Sequence, residues 1–206
     1  MLKHTVSGIC AGIMIAIGGS VFLSCENKVV GAILFSVALL CICLKGYALF
    51  TGRIGYLPDA KTRDDITGIF AGLLGNAIAT ALLGWAVRYA LPVGDKALSI
   101  CSAKLEQDIG QTVIRAVLCG VLMYLAVSIY KEGKGLSGIF LCVPVFILSG
   151  FEHSIANMFY FAASGIVSLE AFGYLWLVIG GNAVGGMLLP LLQRVGVKKK
   201  EETDNG

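Results

Sequence analysis

Gly150-Phe151-Glu152-His153-Ser154-Ile155-Ala156-Asn157-Met158-Phe159 interrupts a segment, Leu136 to Gly165, that is otherwise hydrophobic enough to lie in a bilayer. A glutamate beside a histidine in hydrocarbon is expensive, and ionisable residues inside membrane segments are functional by default. The plainer alternative is a pair that only satisfies a neighbouring backbone or a buried partner. The choice turns on whether the rest of the chain is embedded and whether this break has a counterpart.

The 206 residues are 57% hydrophobic and 14% charged, with a mean hydropathy of +0.84, whereas soluble domains carry about a quarter charged residues. The charges are segregated between long uncharged runs, so nearly all of the chain belongs in a membrane. The net charge of +3 includes the run Lys198-Lys199-Lys200, which the positive-inside rule explains without a nucleic-acid partner. Residues 196–206 read as a disordered cytoplasmic tail. Seven cysteines (10, 25, 41, 43, 101, 119 and 142) form neither a CxxC pair nor a Cys/His cluster of metal spacing, and read as small buried apolar residues. No metal or cofactor is implied. The first segment has no small-residue cleavage site and reads as a retained helix.

A spanning helix needs about 20 mainly apolar residues, and one membrane domain with segments near 6–24, 29–48, 66–91, 111–130, 136–165 and 172–195 meets that requirement. Ile54 to Pro58 is too short to span and too apolar for a solvated loop, so it reads as a half-helix or re-entrant piece. Pro92 to Gly110 reads as a polar outer loop, and Lys131 to Lys134 as a tight basic turn. With the N-terminus in the cytoplasm, ten basic residues fall inside (Lys3, Arg53, Lys61, Arg63, Lys131, Lys134, Arg194 and the three terminal lysines) and four outside (Lys28, Arg88, Lys96, Lys104). Both termini are therefore expected in the cytoplasm of a multi-pass plasma-membrane protein.

The break has a counterpart. Leu74-Gly75-Asn76-Ala77-Ile78 in the third span matches Gly180-Gly181-Asn182-Ala183-Val184 in the sixth, and the second span is interrupted at Leu49-Phe50-Thr51 as the fifth is at Glu152-His153. Three spans per half invert the second half relative to the first, a transporter design whose interrupted helices meet near the midplane. The expected fold is an all-α membrane protein of six transmembrane helices, an inverted 3+3 repeat of aquaporin-like architecture.

GFEHSIANMF, the Leu-Phe-Thr-Gly break after an apolar helix, and Gly-Asn in the third and sixth spans resemble the formate/nitrite transporter family, from about Gly8 to Val195. The resemblance implies a channel for small monovalent anions (formate, nitrite or hydrosulfide) with one pore per protomer of a homopentamer in the cell inner membrane. It also implies roles. His153 matches the central histidine, Glu152 and Asn157 its companions, and Thr51 the residue facing it. Phe35, Leu39, Leu49, Phe50 and Phe146 match the apolar constriction, and Lys104 and Arg115 the basic residues of the outer vestibule. Two departures stand out. Gly120 replaces a usual asparagine and removes a polar partner of the lysine/glutamate network, and Ala48 replaces an acidic residue before the first break, where Lys45 adds a positive charge. Lys45 either snorkels to the cytoplasmic surface or attracts anions into the pore, alone or paired with Glu152.

A small anion crosses an apolar constriction cheaply only if its charge is paired or neutralised. Histidine titrates near neutral pH, so the expected mechanism is passage as the neutral acid, proton-coupled or pH-gated through His153. A neutral-solute channel of the aquaporin type is the alternative, although neither break carries Asn-Pro-Ala. A membrane enzyme using Glu152 and His153 would lack a nucleophile, metal or cofactor motif, and no enzyme is expected. A sensor or purely structural protein would not need two interrupted helices.

Overall fold

The computed structural model describes the backbone of residues 1–204 and the side chains of residues 1–195; the tail expected to be disordered, 196–206, falls outside the side chains so described. Among the described residues the chain is all-helical. Leu2–Ser24 (α1) and Lys28–Lys45 (α2) are followed by a short helix, Phe50–Arg53 (α3), that runs into a 3₁₀ turn, Ile54–Asp59. Arg63–Ala90 (α4), Gly94–Leu105 (α5), Ile109–Lys131 (α6), Ser137–Leu148 (α7), Ser154–Ser164 (α8) and Leu169–Asp204 (α9) complete it. Five helices (α1, α2, α4, α6 and the Leu169–Val195 part of α9) are long and apolar enough to cross a membrane. The pair α7 and α8 takes the place of the interrupted fifth segment.

The helix ends follow their residues. Asn27 caps α2 by accepting from the Val29 and Val30 N–H groups, and Asp108 caps α6 through Gln111. Thr62 and Asp65 form a reciprocal capping box on α4. The second helix stops at Lys45 rather than at Ala48, because Gly46 takes a left-handed conformation, φ 68°, which costs glycine nothing. The expected outer loop, Pro92 to Gly110, is largely helix α5. Its polar residues Asp95, Lys96 and Lys104 conceal a packing face, with Ala97 and Cys101 fully buried, that lies on α8.

Glycines set the two closest helix pairings, α1 with α4 and α6 with α9. Gly75 lies against the Thr5 carbonyl and Gly185 against the Val117 carbonyl, and in each case a methyl group would overlap backbone. Small residues permit such approaches where lipid offers no hydrophobic drive between helices. Gly120 belongs to the same seam. It abuts the backbone of Asn182 and Gly186, so an asparagine would overlap α9 as the two helices pack here. The large apolar side chains of Leu82, Trp85, Leu141 and Trp176 point outward, as they do in a chain whose solvent is lipid.

Candidate functional site: two breaks that meet at a histidine

The two breaks repeat each other residue by residue. Each opens on a left-handed glycine, Gly46 at φ 68° and Gly150 at φ 69°. The next N–H turns back into the preceding helix, Tyr47 to the Ile42 carbonyl at 3.0 Å and Phe151 to the Phe146 carbonyl at 2.9 Å. Then a buried asparagine from a neighbouring span staples the break. Asn76 Oδ1 accepts from Phe50 N–H (2.9 Å), while its Nδ2 donates to the Ala48 and Gly8 carbonyls (2.9 and 2.8 Å). Asn182 Oδ1 accepts from Ser154 N–H (2.8 Å), and its Nδ2 donates to the Glu152 and Ala116 carbonyls (both 2.8 Å). In this register Ala48 answers to Glu152, Leu49 to His153 and Phe50 to Ser154. The Gly-Asn match was the visible sign of these two staples, whose function as backbone caps composition alone does not reveal.

His153, 2% exposed, is the N-cap of α8. Its Nδ1 accepts from the Ala156 backbone N–H at 3.1 Å, and an amide can only donate, so Nδ1 carries the lone pair. In the neutral ring the proton is then on Nε2, which lies 2.9 Å from Thr51 Oγ1 and donates to it. A proton added at Nδ1 would remove the cap. Glu152, 1% exposed, forms a salt bridge with Lys104 from α5. Its carboxylate also accepts from Gln107 Nε2 and Asn157 Nδ2, both at 2.9 Å, so this buried charge is paired and hydrogen-bonded as its burial demands. Gln107 was not foreseen: an amide side chain between polar residues gives no pattern to read.

Two cavities approach this centre from opposite sides. One, of about 480 Å³, is lined by Leu39 and Leu49 and opens among Arg53, Tyr56 and Lys131. The other, of about 410 Å³, is lined by Phe146, His153 and Asn157 and opens among Lys28, Lys96 and Lys104. Between them lie buried Phe35, Leu39, Leu49 and Phe146. Phe35 meets Phe146 edge-on at 6.3 Å and Phe146 stacks on the His153 ring at 5.4 Å.

Three candidate residues have surroundings that the sequence left open. Phe50 is buried, with its N–H on Asn76, and is not among the described residues lining either cavity. Arg115 also lies outside the lining of the Lys104 cavity; its carbonyl accepts the Glu152 N–H at 3.3 Å and its guanidinium sits beside Gly150, which does line it. Lys45 stands exposed at the end of α2, where a cation favours the helix dipole, and Glu152 takes Lys104 as its partner instead. Lys45→Met is therefore expected to leave uptake at the wild-type rate and stability within about 0.5 kcal/mol. A clear fall in uptake by the folded variant would return Lys45 to the pore. Lys28 and Lys96, noticed in the sequence only as topology markers, line the same cavity as Lys104.

A helical membrane protein with two re-entrant breaks meeting at a buried histidine, and a cavity on each side, has the construction of a channel or transporter. A family model described as formate/nitrite transporter matches residues 1–195, and the chain belongs to that family. It is 27% identical over 220 residues to the nitrite transporter NirC of Escherichia coli, covering 92% of this chain and 82% of the relative. To the formate channel FocA of Escherichia coli it is 28% identical over 207 residues, 87% and 72% of the two chains. Its fold is similar to that of a solved pentameric formate channel with formate bound, at a TM-score of 0.78 and 23% identity over 96% of this chain and 97% of that one. These matches give the neutral-solute alternative no support.

Proposed function

We propose that the protein passes small monovalent anions of weak acids, with formate, nitrite and hydrosulfide as the candidates, across the plasma membrane as a homopentamer with a pore in each protomer. In this reading both termini are cytoplasmic, the halves are inverted repeats, and protons move with the anion. The observation that carries it is the His153 imidazole, Nε2 2.9 Å from Thr51 Oγ1, at the apolar end of one of two cation-lined cavities, with Phe35, Leu39, Leu49 and Phe146 buried beside it. A bare anion gains no pairing charge in that apolar stretch, whereas its neutral acid crosses without the cost of burying charge. Because Nδ1 is committed to the helix cap, His153 orients the passing acid through Nε2 and Thr51, and the proton comes from water in the cavity.

Reconstituted proteoliposomes test this. Formate, nitrite and hydrosulfide should enter faster as the outer solution is taken from about pH 8 to about pH 5, and chloride, which has no neutral acid in that range, should not follow. Chloride moving as fast as formate, or rates flat across the range, would overturn neutral-acid passage.

A further inference from the structure

Both cavities are lined by cations, but the two breaks differ in what neutralises them. On the outer side the cation that touches the break, Lys104, is paired with Glu152. The residue in Glu152's place in the first break is Ala48, whose carbonyl takes the matching hydrogen bond from Asn76. The inner break thus brings no carboxylate, yet it ends in a cation, Arg53, two residues beyond Thr51. Arg53 donates to the Gly46 carbonyl at 3.0 Å, and a guanidinium has further N–H donors in a planar fork. Lys131 lies 3.7 Å from the centroid of the Tyr56 ring. Neither cation has a carboxylate partner among the described ion pairs, and both line the same cavity. The carboxylates of that cavity are engaged elsewhere: Asp59 with Arg194, and Asp65 with the Lys61 and Thr62 N–H groups at 3.1 and 2.9 Å.

Two cations that line one cavity, Arg53 half-buried and Lys131 exposed, with no carboxylate paired to either, meet the requirement for charge-assisted recognition of an anion. We propose that Arg53 and Lys131 form an anion-binding site in the inner cavity, taking a small carboxylate or oxyanion directly below Leu39 and Leu49. The site deepens the transport reading above and rests on it for its physiological ligand. It holds the anion at the end of the cavity where the neutral acid must form or dissociate.

Two measurements separate the site from that reading. Formate transport is measured in intact cells, which present the outer face, and in inverted membrane vesicles, which present the inner one. In Arg53→Gln/Lys131→Gln the half-saturating formate concentration should rise roughly tenfold in inverted vesicles, the scale of a lost charge-assisted contact, and stay unchanged in cells. Arg53→Lys, which keeps the charge, should shift it much less. Cys43 lines the same cavity, so its modification in inverted vesicles, followed by mass spectrometry, reads the local charge without transport. A sulfonate-bearing methanethiosulfonate should outpace its trimethylammonium analogue in the wild type, be slowed by sodium formate, and lose its advantage in the double variant. Equal shifts on both faces, no shift, or a reagent preference that survives the double substitution overturns the site. A wild type that moves none of the candidate anions, but keeps the Cys43 preference and its protection by formate, removes the transport reading and leaves the site standing.

Discussion

Asn182→Ala should cost about 2–6 kcal/mol of stability, which would show as a large fall in the unfolding temperature of the purified protein in detergent. The estimate comes from what the side chain holds. Ser154 N–H is a first-turn donor of α8 with no helical acceptor, and Asn182 Oδ1 supplies one at 2.8 Å. The Glu152 carbonyl lies in the break and takes Nδ2, also at 2.8 Å. Both groups are shut away from water, and each stranded buried group costs about 1–3 kcal/mol. The Ala116 carbonyl adds less, since it lies within α6 and has a helical donor of its own. Asn182→Asp should not rescue the fold, because it keeps the acceptor but loses both donated bonds and buries a charge. Asn76→Ala should behave alike through Phe50, Ala48 and Gly8. A melting temperature unchanged in both alanine variants would show that the breaks hold without their staples.

Much of this construction was legible in the sequence, for physical reasons that differ by residue. Spans announce themselves because the bilayer tolerates little but apolar side chains, and the five helices long and apolar enough to cross a membrane overlap expected segments. The second break was legible because Glu152 and His153 interrupt a segment otherwise fit for hydrocarbon, and the first because the apolar piece Ile54 to Pro58 is too short to span and the Gly-Asn match pairs the halves. Helix α5 was not, since its buried face is only Ala97 and Cys101 with partly buried neighbours, too narrow a stripe to stand out among Asp95, Lys96 and Lys104. Phe50 and Arg115 lie outside the cavity linings, a placement that a resemblance does not give, since it fixes a position along a helix and not the direction of a side chain. Lys45 was ambiguous for a related reason: at a helix end a lysine can turn inward or outward, and only the place of Gly46 decides that α2 stops there. The partner of Glu152 was legible only through the family resemblance, because Lys104 lies 48 residues away on an element that read as a loop.

That pair gives the second large effect, and its two halves should fail in opposite ways. Lys104→Met leaves the Glu152 carboxylate, 1% exposed, with only the amides of Gln107 and Asn157. Removing one partner of a buried ion pair costs about 3–5 kcal/mol, because the other charge stays behind uncompensated. Glu152→Gln should be milder, since Lys104, 13% exposed, lines an open cavity and can turn its ammonium toward water. The double variant Lys104→Met/Glu152→Gln should recover most of the stability lost by Lys104→Met, so the cycle should return a coupling well above the scatter between independent sites. Transport should separate the two singles further. Lys104→Met leaves a net negative charge beside the outer cavity and should raise the half-saturating formate concentration measured in intact cells. Glu152→Gln frees a cation to act with Lys28 and Lys96 and should lower it. Two singles that shift uptake in the same direction would mean that the pair acts only by holding α5 against the break, and that its charge does not reach the anion.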